Sequence, residues 1–133
     1  MIQTLQKRRA GFTLVEIMIV VAIIALLAAI AVPNFLRARK RSQATRILED
    51  LRMLDAACDQ YAIETNKISG VAIGFGDLKN YLKTGTVLYS GSGSDLFGNT
   101  YGSFTVDSVP KVSNSTYNLL SDVTDAAFWS PYH

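Results

Sequence analysis

The sequence predicts an α+β fold in which one long N-terminal helix, membrane-spanning in its first half and amphipathic in its second, packs on a small antiparallel β-sheet body. Three observations carry this. Residues from Ile17 through Leu36 form one uncharged, apolar run; a heptad-like spacing of apolar residues follows from Ala44 to Tyr61; and from Asn66 onward glycines divide the chain into short pieces. The organisation expected is a short N-terminal segment at 1–11, a transmembrane half of the helix at 12–36, an amphipathic half at 37–65 and a C-terminal body at 66–133.

The apolar run is long enough to span a membrane. Ile17 to Val32 carries no charge, and Pro33, Asn34, Phe35 and Leu36 extend it to Arg37. About 20 such residues suffice to cross the hydrocarbon of a bilayer. Charge is distributed to match. Residues 1 to 46 carry eight Lys/Arg against Glu16 alone, and the remainder carries five against ten acids, although the net charge is only +2. A basic N-terminal part suits phospholipid headgroups, and an acidic body suits water. Orientation is not readable from charge, since Lys7, Arg8 and Arg9 precede the run while Arg37, Arg39, Lys40 and Arg41 follow it.

Helical periodicity resumes after Pro33. Ala44, Ile47, Leu51, Leu54, Cys58 and Tyr61 step by three and four and so share one face. A helix from about Thr13 to about Glu64 is expected, with a kink or local melting at Pro33, which removes one backbone hydrogen bond and crowds the preceding turn. The repeat is too short for a coiled coil, so this face is expected to pack on the chain's own body. Ala25 and Ala29 stand in small-xxx-small spacing and would let helices approach closely.

In the body, Asp77 reads as the N-cap of a short helix to about Lys83, stopped by Gly85. Thr86–Tyr89 and Ser103–Val109 read as strands, the second ended by Pro110. Cys58 is the only cysteine, so an intrachain disulfide is impossible and a buried, apolar role is expected. The sole histidine is His133, and no Ser-His, Cys-His, metal-ligand or phosphate-loop constellation is present. That pattern argues against an enzyme, and no cofactor is implied. Ser121, Asp122 and Asp125 could offer oxygens to calcium, but such sites take six to eight ligands. Phe128, Trp129 and Tyr132 are expected to cover the sheet or the long helix. Asn114-Ser-Thr116 matches a glycosylation acceptor pattern.

The N-terminus is more specific. Lys7-Arg-Arg-Ala-Gly11-Phe12-Thr-Leu-Val-Glu16 leads directly into the apolar run. Thr13 and Glu16 fit a capping box, which would explain a carboxylate at the start of an apolar helix. The whole segment resembles the prepilin-type signal of type IV pilins and of the pseudopilins of type II secretion, including Pro33 at its usual place. The resemblance implies cleavage between Gly11 and Phe12 by a prepilin peptidase, methylation of the new Phe12 amine, and Lys7, Arg8 and Arg9 holding the leader in the cytoplasm. It further implies that Glu16 meets the Phe12 amine of a neighbouring subunit during assembly. The competing reading is a secretory signal peptide cut after Ala29-Ile-Ala31, although the apolar stretch is long for one.

A second stretch, Asp95-Leu-Phe-Gly-Asn99-Thr-Tyr101, is similar to the Asp-x-Trp-Gly-Asn-Pro-Tyr motif of major pseudopilins, with Phe97 and Thr100 as departures. It points to the type II secretion branch. The implied role is a filament subunit of the bacterial inner membrane, single-pass, with leader cytoplasmic and body periplasmic or extracellular. Its implied partners are copies of itself and other pilin-like subunits, the peptidase and methyltransferase, an assembly platform and the lipid bilayer. The alternatives are a type IV pilin for adhesion, motility or DNA uptake, and a membrane-anchored binding protein that does not polymerise. The basic run Arg37–Arg41 with Arg46 could meet nucleic acid, but no interleaved aromatics support base stacking.

Overall fold

The first helix opens on a reciprocal cap. In a computed structural model, which describes residues 10–133, the Thr13 amide donates to Glu16 Oε2 at 3.0 Å and the Glu16 amide donates to Thr13 Oγ1 at 3.3 Å. Two amides that a helix start otherwise leaves unpaired are thereby satisfied. The helix α1 then runs Leu14–Thr65 with Pro33 inside it and no break in the helical assignment. No melted turn interrupts it at Pro33, contrary to one of the two outcomes expected there. Its end is equally well defined. Asn66 adopts φ 51° and the Lys67 amide donates to the Ala62 carbonyl at 3.2 Å, the 6→1 bond of a Schellman termination with asparagine in the left-handed position.

The chain divides into two units, one ending at Leu36 and the other running Arg37–His133. In the first, every described side chain is exposed. The helix there reaches a mean hydropathy of 3.0 over its most apolar window, and none of that window is buried. It is long and apolar enough to cross a membrane. A helix apolar on all sides needs an apolar surround, because water leaves its whole surface unfavourably hydrated.

In the second unit, the α1 face built from Ala44, Ile47, Leu51, Leu54 and Cys58 is buried as the spacing predicts, joined by Leu48 and Ala57, while Tyr61 is half-buried. Against it lie Ile73, Leu78, Leu88, Phe104, Val106, Leu120 and Trp129. The sheet is minimal: β1 (Ala72–Ile73) pairs antiparallel with β2 (Phe104–Thr105), Ala72 opposite Thr105 and Ile73 opposite Phe104.

Short helices make up the rest, and several differ from expectation. α2 (Phe75–Leu78) starts after Gly74, so Asp77 lies in its first turn and is not its cap; a 3-10 turn at Lys79–Tyr81 completes the segment. The expected strand Thr86–Tyr89 is instead α3 (Val87–Ser90), because Thr86 Oγ1 accepts from the Tyr89 amide at 3.1 Å and caps a helical turn. The expected strand Ser103–Val109 keeps only its first part, since Asp107 turns the chain at φ 61°. Two helices had no place in the sequence reading: α4 (Asn114–Leu120), capped by Ser113, and α5 (Ala126–Trp129), capped by Asp125.

Candidate functional site

The N-terminal constellation sits at the start of α1. Lys7, Arg8 and Arg9 lie outside the described residues. Gly11 and Phe12 precede the helix in irregular backbone, and Phe12 is 86% exposed. A Cβ added at Gly11 would meet nothing within 4 Å. The chain itself therefore makes no demand for glycine at that position, and any such demand comes from whatever handles the segment. Phe12, Glu16 and Val20, spaced by four, line one open apolar groove with Ile17 and Val21. Glu16 is the only carboxylate in the stretch 12–36. Oε2 is occupied by the Thr13 amide, and the group's charge faces outward from an otherwise uncharged helix.

Two further predicted positions are quieter. Cys58 is buried and unbridged, and burial pushes its thiol up to about 11, with Asp55 and Asp59 adding to the shift. Such a thiol is protonated and inert at neutral pH. Trp129 is fully buried, with its indole N–H donating to Thr124 Oγ1 at 3.0 Å, and Phe128 packs edge-on against it. Tyr132 is also buried and its hydroxyl donates to Asp55 Oδ2 at 3.4 Å. Trp129 and Tyr132 are thus core residues, and Phe128 is half-buried against them.

The Asp95–Tyr101 stretch proves to be the knot of the body. Asp95 is only 9% exposed; its Oδ1 accepts from the amides of Phe97 and Asn99, both at 2.9 Å, and its Oδ2 accepts from the Thr116 hydroxyl. Asn99 Nδ2 donates to Thr116 Oγ1 at 2.9 Å, and Ser113 Oγ donates to the same oxygen at 3.0 Å. Tyr101 reaches the other way, its hydroxyl donating to Asp50 Oδ2 on α1 at 3.0 Å. Each residue type is used for what it carries: a buried carboxylate needs donors, and this one is given three. Burial raises Asp50, opposed by the Tyr101 hydrogen bond and the charge of Arg46, and it raises the Tyr101 hydroxyl in turn. Sequence reasoning missed Thr116 because it was read within a glycosylation pattern; its hydroxyl is fully buried in this knot.

Ser121, Asp122 and Asp125, the candidate calcium oxygens, line one open groove, and each has a partner within the chain, Ser121 Oγ donating to the Asn118 carbonyl at 2.8 Å. Asp122 pairs with Lys40 Nζ at 2.8 Å, which holds its carboxyl below the usual range, and Asp125 Oδ1 accepts from the Phe128 amide at 2.9 Å. Among the described residues no group of three His, Cys, Asp or Glu side chains converges.

Residues 6–32 match the prokaryotic N-terminal methylation motif. This motif takes in Gly11, Phe12 and Glu16 together with most of the apolar run. The chain is 46% identical over 70 residues to the type IV major pilin protein PilA of Myxococcus xanthus, covering 51% of this chain and 32% of that protein. It is 34% identical over 77 residues to the type II secretion system core protein G of Aeromonas hydrophila, covering 57% and 54%. It is 46% identical over 60 residues to the type IV wide pilus major component PilA4 of Thermus thermophilus, covering 45% and 46%. The chain therefore resembles both type IV pilins and type II secretion core proteins, and its matches span between about a third and about half of their lengths. These relatives carry the names of structural subunits, not enzymes. No solved structure gives a significant match to the chain.

Proposed function

We propose that this chain is a structural subunit of a pilus-like filament, in the first instance a type II secretion pseudopilin. Prepilin peptidase cuts between Gly11 and Phe12, the Phe12 amine is methylated, and the apolar part of α1 anchors the subunit in the bacterial inner membrane until assembly. Lys7, Arg8 and Arg9 keep the leader cytoplasmic, and the body lies on the far side of the membrane. An assembly platform then extracts the subunit, and its apolar helix exchanges lipid for the helices of other subunits.

The observation that carries this reading is Glu16. It is the one charged side chain in the exposed apolar stretch 12–36, four residues from Phe12 and on the same groove. An ionised carboxylate in such a segment is costly unless paired. Its capping bond satisfies one oxygen and leaves the charge, and the amine of a neighbouring Phe12 is a counter-charge of the right sign. Contacts of this head-to-tail kind produce open helical polymers.

Two substitutions separate the cap from the charge. Glu16→Gln keeps a capping side chain and removes the charge, whereas Glu16→Leu removes both. In cells carrying the matching secretion or pilus machinery, both variants should insert and be processed but yield little filament. Normal filaments from Glu16→Gln would reduce Glu16 to a cap and end the pairing mechanism.

A type IV pilin is the second reading, favoured by the higher identities to pilus subunits, 46% against 34%. Complementation tells the two apart: rescue of protein secretion in a strain lacking its core protein G supports the first, and rescue of surface pili alone supports the second.

A further inference from the structure

Arg37 follows the last apolar residue of the run, Leu36, directly in the chain, so it meets the headgroup layer wherever the anchored helix leaves hydrocarbon. Arg37 and Arg41 stand one helical turn apart and line a single open groove with Ala38, Asp122 and Val123. Both arginines are exposed. Among the described residues, the only ion pair within 4.0 Å is that of Lys40 with Asp122 at 2.8 Å, so neither guanidinium is bound to a carboxylate.

That pair matters to the groove. Asp122 by itself would repel an anion, and Lys40 cancels it. Asp125 is the other acid beside Arg41. Against these two acids stand Arg37, Lys40 and Arg41, a local excess of positive charge.

We propose that Arg37 and Arg41, walled by Val123 and the Lys40–Asp122 pair, form a binding site for the phosphate of an anionic phospholipid headgroup. The proposal rests on the membrane-anchored reading of α1. A guanidinium binds a phosphate through two parallel hydrogen bonds, and two guanidiniums a turn apart can hold one phosphate between them. The groove has room for a headgroup, an apolar wall for the glycerol region beneath it, and no aromatic ring on which a nucleobase could stack. Charge complementarity and continuity with the apolar run select lipid over nucleic acid. An anionic lipid held here would fix the depth of the subunit and tether its body to the bilayer until extraction.

The test uses the full chain in detergent, equilibrated with phosphatidylcholine, phosphatidylethanolamine and phosphatidylglycerol, with retained lipid counted by native mass spectrometry. Phosphatidylglycerol should be retained about tenfold over phosphatidylcholine, and the double variant Arg37→Gln/Arg41→Gln should lose that preference. The control Arg39→Gln/Arg46→Gln, which removes equal charge outside the groove, should keep it. Equal loss in the control would mean diffuse attraction and would overturn the site, as would equal retention of phosphatidylethanolamine. Displacement by soluble glycerol phosphate would make it a free-phosphate site, and displacement by an oligonucleotide a nucleic-acid site; either overturns the lipid assignment. Flotation with neutral vesicles is measured in parallel. Flotation without a phosphatidylglycerol preference defeats this site alone, and no flotation defeats the anchor reading and the site with it.

Discussion

The hydroxyl of Tyr101 donates to Asp50 Oδ2 at 3.0 Å, joining the Asp95–Tyr101 knot to the amphipathic half of α1. A buried phenol and a half-buried carboxylate each satisfy the other, and among the described residues neither side chain makes a second hydrogen bond. Tyr101→Phe keeps the ring and its packing and leaves the carboxylate short of a donor. Hydrogen bonds to charged groups contribute about 1.5–3 kcal/mol, so the variant should lose about 1–3 kcal/mol of stability, read from the urea midpoint of the full chain in micelles. An unchanged midpoint would show that water replaces the phenol at no cost.

The same carboxylates give a pH dependence with a definite sign. Burial raises Asp50 and Asp55 above the ordinary 3.8, so the folded state binds protons more readily than the unfolded one. Their contribution to stability is fully present below 3.8 and is lost as pH rises through the folded values. Lowering pH from neutral toward 3.8 should therefore raise the melting temperature slightly as these two groups take up protons, and Asp50→Asn/Asp55→Asn should flatten that response. Asp122 acts oppositely: its carboxyl is held low by Lys40, so its contribution is lost as pH falls through its folded value, below 3.8. At the alkaline end, burial raises Tyr101 and Tyr132 above 10.0, and the stability they carry is lost above about pH 10 as the unfolded phenols ionise first.

Thr116 is the hinge of the knot, since Asp95, Asn99 and Ser113 all meet its hydroxyl. Thr116→Val preserves shape and removes the oxygen. It leaves Asp95 Oδ2 and Asn99 Nδ2 unpartnered in a buried site and should cost about 2–4 kcal/mol. Thr116→Ser, which keeps the hydroxyl, should recover most of that in the same denaturation assay.

Cys58 offers a probe of body closure. Its thiol is buried and raised to about 11, so alkylation by iodoacetamide at pH 8 should be far slower than for an exposed thiol, and should accelerate only under denaturing conditions. Rapid labelling of the native chain would mean that the body opens locally on the time scale of the reaction.

N-terminal sequencing of the mature protein distinguishes the two processing routes. Phe12, methylated at its amine, is expected. Val32 would show cleavage after Ala29-Ile-Ala31 and a released, soluble product.

What was legible in the sequence follows from element length. α1 was readable almost to the residue at both ends because 52 residues give periodicity many turns in which to declare itself, and because Thr13, Glu16 and Asn66 mark the boundaries chemically. The N-terminal motif, matched over residues 6–32, was readable for a different reason: its residues are adjacent in the chain. The body was not. Its helices are four to seven residues long and its strands two, too short for any period. Their identity is decided by single caps, as at Thr86, Ser113 and Asp125, and by bonds that cross the sequence, such as Thr116 to Asp95 over 21 residues. β-branched content at Thr86–Tyr89 suggested a strand, yet a hydroxyl that caps the next turn outweighed it.

The two phenol contacts on α1 also impose an order on biosynthesis. Asp50 waits for Tyr101, 51 positions later, and Asp55 for Tyr132, 77 positions later. While the ribosome is still adding those segments, the apolar stripe from Ala44 to Cys58 has nothing to lie against. The nascent chain therefore passes through a stage in which this helix face is uncovered, and that interval is when a chaperone or a protease would find it accessible.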